Sequence, residues 1–112
     1  MLGINIITMA KAISIKEPWA SMIMDGKKTI ETRTWRTNYR GEIVICTSAK
    51  PKTKYSGHAV AKADLVDCRP MTKRDEKKAC CKIYPKAFAW VLKDIRRIRP
   101  FKVKGRLGLF DI

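Results

Sequence analysis

Acidic residues and histidine are scarce in this sequence. Ten Asp and Glu stand against 25 Lys and Arg, and His58 is the single histidine. A serine-histidine-aspartate hydrolase is therefore disfavoured, because Thr47 and Ser48 have no other histidine that could act as their base.

The four cysteines, Cys46, Cys68, Cys80 and Cys81, include no C-x-x-C pair. A zinc site is therefore not expected. No secretion signal accompanies them, which argues against a disulfide framework. We predict a protein with no metal and no cofactor.

Long hydrophobic runs are also missing. The opening, MLGINIITMAKA, has only a few consecutive apolar residues and no basic region before them, which predicts neither a signal peptide nor a membrane span. We therefore expect a cytoplasmic protein without a membrane partner. Residues 1–11 are predicted to be a weakly ordered extension, with Met9 an alternative start, and residues 12–112 a single domain.

Positive charge is what the chain has in quantity. Its 112 residues are 46% hydrophobic and 31% charged, which suits a domain with a modest core. The formal net charge of +15 makes so small a domain repel itself, and its field attracts polyanions. We therefore predict a nucleic-acid partner.

The apolar pattern predicts a mainly β protein with short helices, in the α+β class. Alternation and composition predict strands over 12–16, 28–36, 42–48, 58–66, 88–95 and 107–112, and helices over 18–25 and 71–82. Thr72 and Asp75 have the spacing of a helix N-cap. Six short strands would expose edges in a flat sheet, so we expect a small β-barrel of about six strands flanked by two helices.

Residues 26–36, GKKTIETRTWR, are the most informative stretch. Glu31, Arg33 and Trp35 alternate and so share one face of a strand, and Lys28 lies at its start. On this reading the charged groups form a cluster at a cleft. Arg33 is then offered to a phosphate or a base edge, and Trp35 can stack on a base.

A structural interpretation of the same residues stays open. Glu31 and Arg33 could form an ordinary salt bridge with Lys28 in solvent. Trp35 and Trp90 would then belong to the core. Trp19 is expected in the core under either interpretation, because it shares a helix face with apolar neighbours.

The motif G-x-K-x-x-E-x-R, at Gly26, Lys28, Glu31 and Arg33, resembles the signature of ASCH domains. ISIKEPWA, RGEIVICTSAK, HAVAKADLV and KGRLGLFDI extend the resemblance over most of the chain. It implies a PUA-like fold, a small β-barrel with flanking helices and a cleft near the motif. It also implies binding of RNA in preference to DNA.

The resemblance also implies an alternative, an enzyme acting on modified nucleosides or RNA. One bacterial branch hydrolyses acetylcytidine, with a lysine and a threonine where this chain has Lys28 and Glu31, and a third catalytic group for which Glu76 is the nearest candidate. Some small members are associated with ribonuclease activity. Here Lys28 would be the base or nucleophile, and Glu31 would orient it or shuttle a proton. We expect Lys28 to bind anions instead, because Glu31 favours its ammonium form. A third hypothesis is a specificity domain beside a partner enzyme.

Two basic segments complete the predicted interface. One is a loop with Lys50, Lys52 and Lys54, and the other is the C-terminal stretch around Phe101. Thr47 and Ser48, before the first segment, could donate to a phosphate. The predicted nucleic-acid-binding residues are Lys28, Arg33, Trp35, Ser48, Lys50, Lys52, Lys102, Lys104 and Arg106.

Overall fold

The computed structural model describes residues 10–112. Within them, six strands and two short helices form one unit. The strands are β1 (Lys11–Ile15), β2 (Ile30–Arg33), β3 (Gly41–Thr47), β4 (His58–Pro70), β5 (Phe88–Lys102) and β6 (Leu109–Asp111). The helices are α1 (Trp19–Met24) and α2 (Glu76–Ala79), and a 3-10 turn, Lys73–Asp75, leads into α2.

One sheet holds all six strands in the order β2-β5-β4-β3-β1-β6. Neighbours are antiparallel except β1 and β3, which are parallel. The sheet curls into a half-barrel, which confirms the expected mostly β fold with two helices. Among residues 10–112, β2 and β6 do not pair with each other, so hydrogen bonds do not close the barrel.

Strand alternation divides the core into clusters on the two faces of the sheet. The largest cluster collects isoleucines from β1 and β3, Leu65 and Trp90, and α1 adds Ala20 and Ile23 to it. Ile30 points the other way, into a cluster with Ala79 of α2. Burial of each large aliphatic side chain contributes about 1.5–3 kcal/mol. Because Ile30 is anchored under α2, its neighbour Glu31 must face the opposite side of β2.

Several predicted boundaries are wrong. β2 is only four residues long. Before it, the Thr29 N–H donates to the Lys78 carbonyl outside the sheet, and its ladder ends at Arg33, opposite the first residue of β5. β4 and β5 are longer than expected, since they pair with each other from Pro70 and Phe88 to the far ends of the ribbon. A register shift opposite Ala59–Ala61 lets β5 include Pro100, which cannot donate to a ladder.

The second helix is much shorter than 71–82, because Cys80 takes a left-handed conformation (φ 56°) that ends α2. The predicted Thr72–Asp75 cap is confirmed at the 3-10 turn that leads into α2, where the Thr72 N–H donates to Asp75 Oδ2 at 2.8 Å. Arg69 donates to both oxygens of the same carboxylate, at 2.7 and 2.9 Å. These hydrogen bonds hold the pKa of Asp75 well below its usual range.

At the other end of the chain, β1 begins at Lys11, whose ammonium pairs with Asp111 of β6 at 2.8 Å. The sheet therefore starts one residue before the predicted domain boundary. The predictions for residues 1–9, including the alternative start at Met9, lie outside the described residues.

Candidate nucleic-acid interface

A cavity of about 410 Å³ opens beside the end of β1, between it and edge strand β2. Its walls come from the C-terminal end of β1, the first turn of α1, β2, the loop after α2 and the segment before β6. The lining residues are Ser14, Ile15, Lys16, Trp19, Lys28, Glu31, Thr32, Arg33, Ser48, Cys81, Tyr84, Arg106, Leu107 and Gly108. Four of these side chains are basic and one is acidic.

The motif glycine directs the chain into this cavity. Gly26 has φ 77°, the left-handed conformation that follows a helix end, as the sequence predicted. The N–H groups of Lys27 and Lys28 both donate to the Met22 carbonyl, at 2.9 and 3.1 Å. This cap sets the direction in which the chain leaves α1, and it thereby positions Lys28 just before β2.

Lys28, Glu31 and Arg33 form the expected charged cluster. Lys28 Nζ donates to the Ala79 carbonyl at 2.5 Å and lies 3.4 Å from Glu31 Oε1. Arg33 Nη2 and Nε lie 2.8 and 3.1 Å from the other oxygen, Oε2. Lys28 is 1% exposed and Glu31 8% exposed, so the interpretation with Lys28 in solvent is wrong.

Arg33 also links the two strands that flank the cavity. Its Nη2 donates to the Ser14 carbonyl of β1 at 2.9 Å, while the same guanidinium holds Glu31 on β2. The cluster therefore bridges strands that share no ladder. Both Glu31 oxygens contact cations, so this carboxylate is already engaged and is poorly placed to accept a proton from a substrate.

The tryptophans are distributed differently from the sequence interpretation. Trp19 is 39% exposed and lines the cavity, so its assignment to the core is wrong. Trp90 is buried, as predicted, and donates its indole N–H to the Trp35 carbonyl at 3.3 Å. Trp35 is 37% exposed and packs edge-on against Trp90, with ring centroids 4.8 Å apart. It is absent from the cavity lining.

Sequence reasoning missed Trp19, Thr32, Cys81 and Tyr84 as cavity residues. For Trp19 a signal existed, because a residue in the first turn after Pro18 can project beyond the helix end. Thr32 lies between Glu31 and Arg33 on the strand. Its Oγ1 lies 3.9 Å from Cys81 Sγ, a contact with the loop after α2 that the sequence did not indicate. Nothing in the sequence placed the loop after α2 against β2.

Apart from Trp35, the predicted nucleic-acid-binding residues fall into two groups. Ser48 and Arg106 line the cavity together with Lys28 and Arg33. The others lie outside the cavity and are exposed: Lys50, Lys52, Lys102 and Lys104. Their two segments are adjacent, because the Val103 N–H donates to the Gly57 carbonyl at 2.9 Å. Exposed cations therefore extend from the cavity over neighbouring loops.

Glu76, the candidate third catalytic group, does not join the cluster. Its Oε2 accepts a hydrogen bond from the Ile83 N–H at 2.8 Å and closes the loop after α2. Over residues 10–112, no three His, Cys, Asp or Glu side chains are grouped to hold a metal ion. No helix in the same range is long and apolar enough to span a membrane.

The sequence matches the family model of the ASCH domain over residues 13–102. The chain belongs to the ASCH domain family. Human activating signal cointegrator 1 is 42% identical over 38 residues, a match that spans 34% of this chain and 6% of that protein. This chain therefore matches only a small part of that relative's length.

Solved structures agree with this assignment at the level of the fold. The crystal structure of ASCH from Zymomonas mobilis superposes with a TM-score of 0.68 at 22% identity, over 83% of this chain and 73% of that one. A mutant of the same protein gives a TM-score of 0.65 at 22% identity, over 84% and 74% of the two chains.

Proposed function

We propose that this ASCH domain binds single-stranded RNA and holds one unpaired base in the cavity. The observation that carries the proposal is the pairing of an exposed indole, Trp19, with a pre-ordered cluster of Lys28, Glu31 and Arg33 around one cavity. A volume of about 410 Å³ falls in the range of small-ligand sites.

The chemistry of the lining suits a base. Trp19 offers an aromatic face on which any base can stack. Arg33 offers donors in a fixed arrangement, because the Glu31 carboxylate holds its guanidinium. Splayed, unpaired bases are the usual targets of sequence-specific RNA recognition, which favours RNA over duplex DNA.

The charge outside the cavity suits the rest of the strand. Glu42 pairs with Arg96 and with Lys62, and Asp25 pairs with Arg97, so part of the basic surface is neutralised. Among residues 10–112, no carboxylate pairs with the exposed lysines near the cavity, which are Lys50, Lys52, Lys102 and Lys104. Such cations are free to follow phosphates.

Fluorescence anisotropy with labelled single-stranded RNA, single-stranded DNA and duplex DNA tests the proposal. Trp19→Ala should weaken RNA binding about tenfold, since stacking of a base contributes roughly 1–3 kcal/mol. Arg106→Ala should weaken binding more than Arg74→Ala, which removes the same charge from an exposed position outside the cavity. Equal effects of all three variants would place the RNA elsewhere.

Cys81 allows an independent measurement at the cavity itself. It lines the cavity, and Cys46 and Cys68 are buried. In a Cys80→Ser background, alkylation of Cys81 should slow when RNA is bound. Unchanged alkylation at saturating RNA would show that the strand does not enter the cavity.

The enzyme alternative has one observation in its favour, a buried lysine that lines the cavity. We propose binding without hydrolysis, because Lys28 already contacts the Ala79 carbonyl and Glu31. Incubation with acetylcytidine tests this choice by release of cytidine. Turnover that Lys28→Met abolishes in a folded protein would establish the hydrolase instead.

We also propose a reducing compartment, such as the cytoplasm, as the place of action. All four cysteines are free, and Cys80 and Cys81 are partly exposed. Exposed thiols persist as thiols where the surroundings keep them reduced.

A further inference from the structure

A second cavity, of about 300 Å³, adjoins the first. Ser14, Ser48, Arg106 and Leu107 line both cavities. The remaining walls of the second come from the end of β3, from Gly57 and from the segment that leads to β6. A ligand in the first cavity can therefore continue into the second past Ser48 and Arg106.

The second cavity contains an unsatisfied polar group. Thr47 is 2% exposed, lines this cavity, and its Oγ1 has no hydrogen-bond partner among residues 10–112. Its carbonyl, by contrast, has a partner, since it accepts from the Gly57 N–H at 2.9 Å. Native proteins rarely leave a buried hydroxyl without a partner, so this one calls for an explanation.

The charge around the second cavity favours an anion. Arg106 is basic, and none of the lining residues is acidic. Cys46 adds no negative charge near neutral pH, because burial raises its thiol pKa to about 11. The first cavity is different, because a phosphate there would face the Glu31 carboxylate.

We infer that the second cavity is a phosphate subsite, in which Thr47, Ser48 and Arg106 hold the phosphate next to the base in the first cavity. The inference rests on the proposed function for the identity of the ligand. A phosphate subsite implies that the ligand is a nucleotide within a strand, which carries a phosphate, and not a free nucleoside. The Thr47 hydroxyl, donating to a phosphate oxygen, gains the hydrogen bond that it lacks.

Thr47→Val tests the inference, because valine keeps the shape and removes the hydroxyl, and Thr47→Ser restores the hydroxyl. We expect Thr47→Val to weaken binding of a short single-stranded RNA about tenfold, since hydrogen bonds to charged groups are the stronger class. Thr47→Ser should bind like the unchanged protein. A methylphosphonate RNA should distinguish the valine variant from the unchanged protein much less, because the methyl group removes the charge and one of the two non-bridging oxygens.

Thermal unfolding with inorganic phosphate gives a test that does not depend on RNA. Phosphate should raise the unfolding midpoint of the unchanged protein and of Thr47→Ser more than that of Thr47→Val. Without ligand, Thr47→Val should unfold at a higher temperature, because an unsatisfied buried hydroxyl has been removed.

The outcomes separate this inference from the proposed function. Normal RNA binding by Thr47→Val would overturn the phosphate subsite and leave RNA binding in place. A lower unfolding midpoint for Thr47→Val would also overturn the subsite, because it would show that the hydroxyl already has a partner. Stabilisation by phosphate that needs the Thr47 hydroxyl, without any RNA binding, would support the subsite and refute the proposed function.

Discussion

Glu31 is the residue on which the charged cluster depends. It lies between two cations, Lys28 at 3.4 Å and Arg33 at 2.8 Å, and it is almost fully buried. A buried ion pair is weak evidence for net stability, but the loss of one member leaves the other charge uncompensated. The cluster is therefore sensitive to any change that removes one charge alone.

Glu31→Gln should lower the free energy of unfolding by about 3–5 kcal/mol, because the Lys28 ammonium stays buried without a counter-charge. Urea unfolding followed by tryptophan fluorescence measures the loss. Asp111→Asn is the matched control, since it breaks the exposed pair with Lys11 and should cost roughly 0–1 kcal/mol. If the two variants lose similar amounts of unfolding free energy, the buried cluster is no more sensitive to the loss of one charge than an exposed pair is.

Asp75 gives a pH-dependent prediction. Its pKa is lowered chiefly by hydrogen bonds from Arg69 and also by the Thr72 N–H. The stabilisation is therefore fully present above the unfolded-state pKa of about 3.9 and is lost as the pH falls below it. Asp75→Asn should cost about 1.5–3 kcal/mol at pH 7 and should flatten the fall in stability between pH 5 and 2. If Asp75→Asn loses stability between pH 5 and 2 as steeply as the unchanged protein does, Asp75 is not the cause of that loss.

At the scale of elements, the cap of α1 positions the motif. Gly26 is left-handed and has open space where a side chain would lie, so conformation rather than crowding restricts it. The same turn brings the N–H groups of Lys27 and Lys28 onto the Met22 carbonyl. The cap of α1 and the start of the G-x-K-x-x-E-x-R motif are therefore formed by the same residues.

Gly26→Ala should cost about 1–2 kcal/mol, the penalty of a left-handed conformation for an L-residue. Gly26→Asn should cost less, because asparagine tolerates this conformation better. Urea midpoints compare the two. Equal losses would point to a steric cause instead.

Alternation was enough to place Glu31 and Arg33 on one face of β2, and the family resemblance pointed to a cleft beside them. The exposed position of Trp19 was not predicted, because its helix face was interpreted as core although Trp19 directly follows Pro18. The helix is so short that its first residue stays at the rim. The lengths of β4 and β5 depended on their mutual pairing, which local sequence does not encode. Lys28 was recognised, but its burial against the Ala79 carbonyl depends on a contact across 51 residues.

On the scale of the whole molecule, the net charge of +15 predicts that the proposed RNA binding weakens as salt is added. Each phosphate neutralised on a single strand adds about −0.7 to the slope of log affinity against log salt. Lys50→Ala combined with Lys52→Ala should therefore make the slope shallower by about 1.4, if both lysines contact phosphates. Anisotropy titrations at several salt concentrations measure it. An unchanged slope would remove this loop from the interface.

The cavity also has a consequence for the order of events during synthesis. β6 pairs with β1, so Asp111 lies opposite Lys11, and Leu107 and Gly108 just before β6 complete the cavity wall. Contacts between residues so far apart in sequence are slow to form, because a long loop must close first. While β6 is still inside the ribosome, the edge of β1 is unpaired and the cavity wall is incomplete. The ligand capture proposed above should therefore begin only after β6 has docked, so that a chain without β6 in place should not bind.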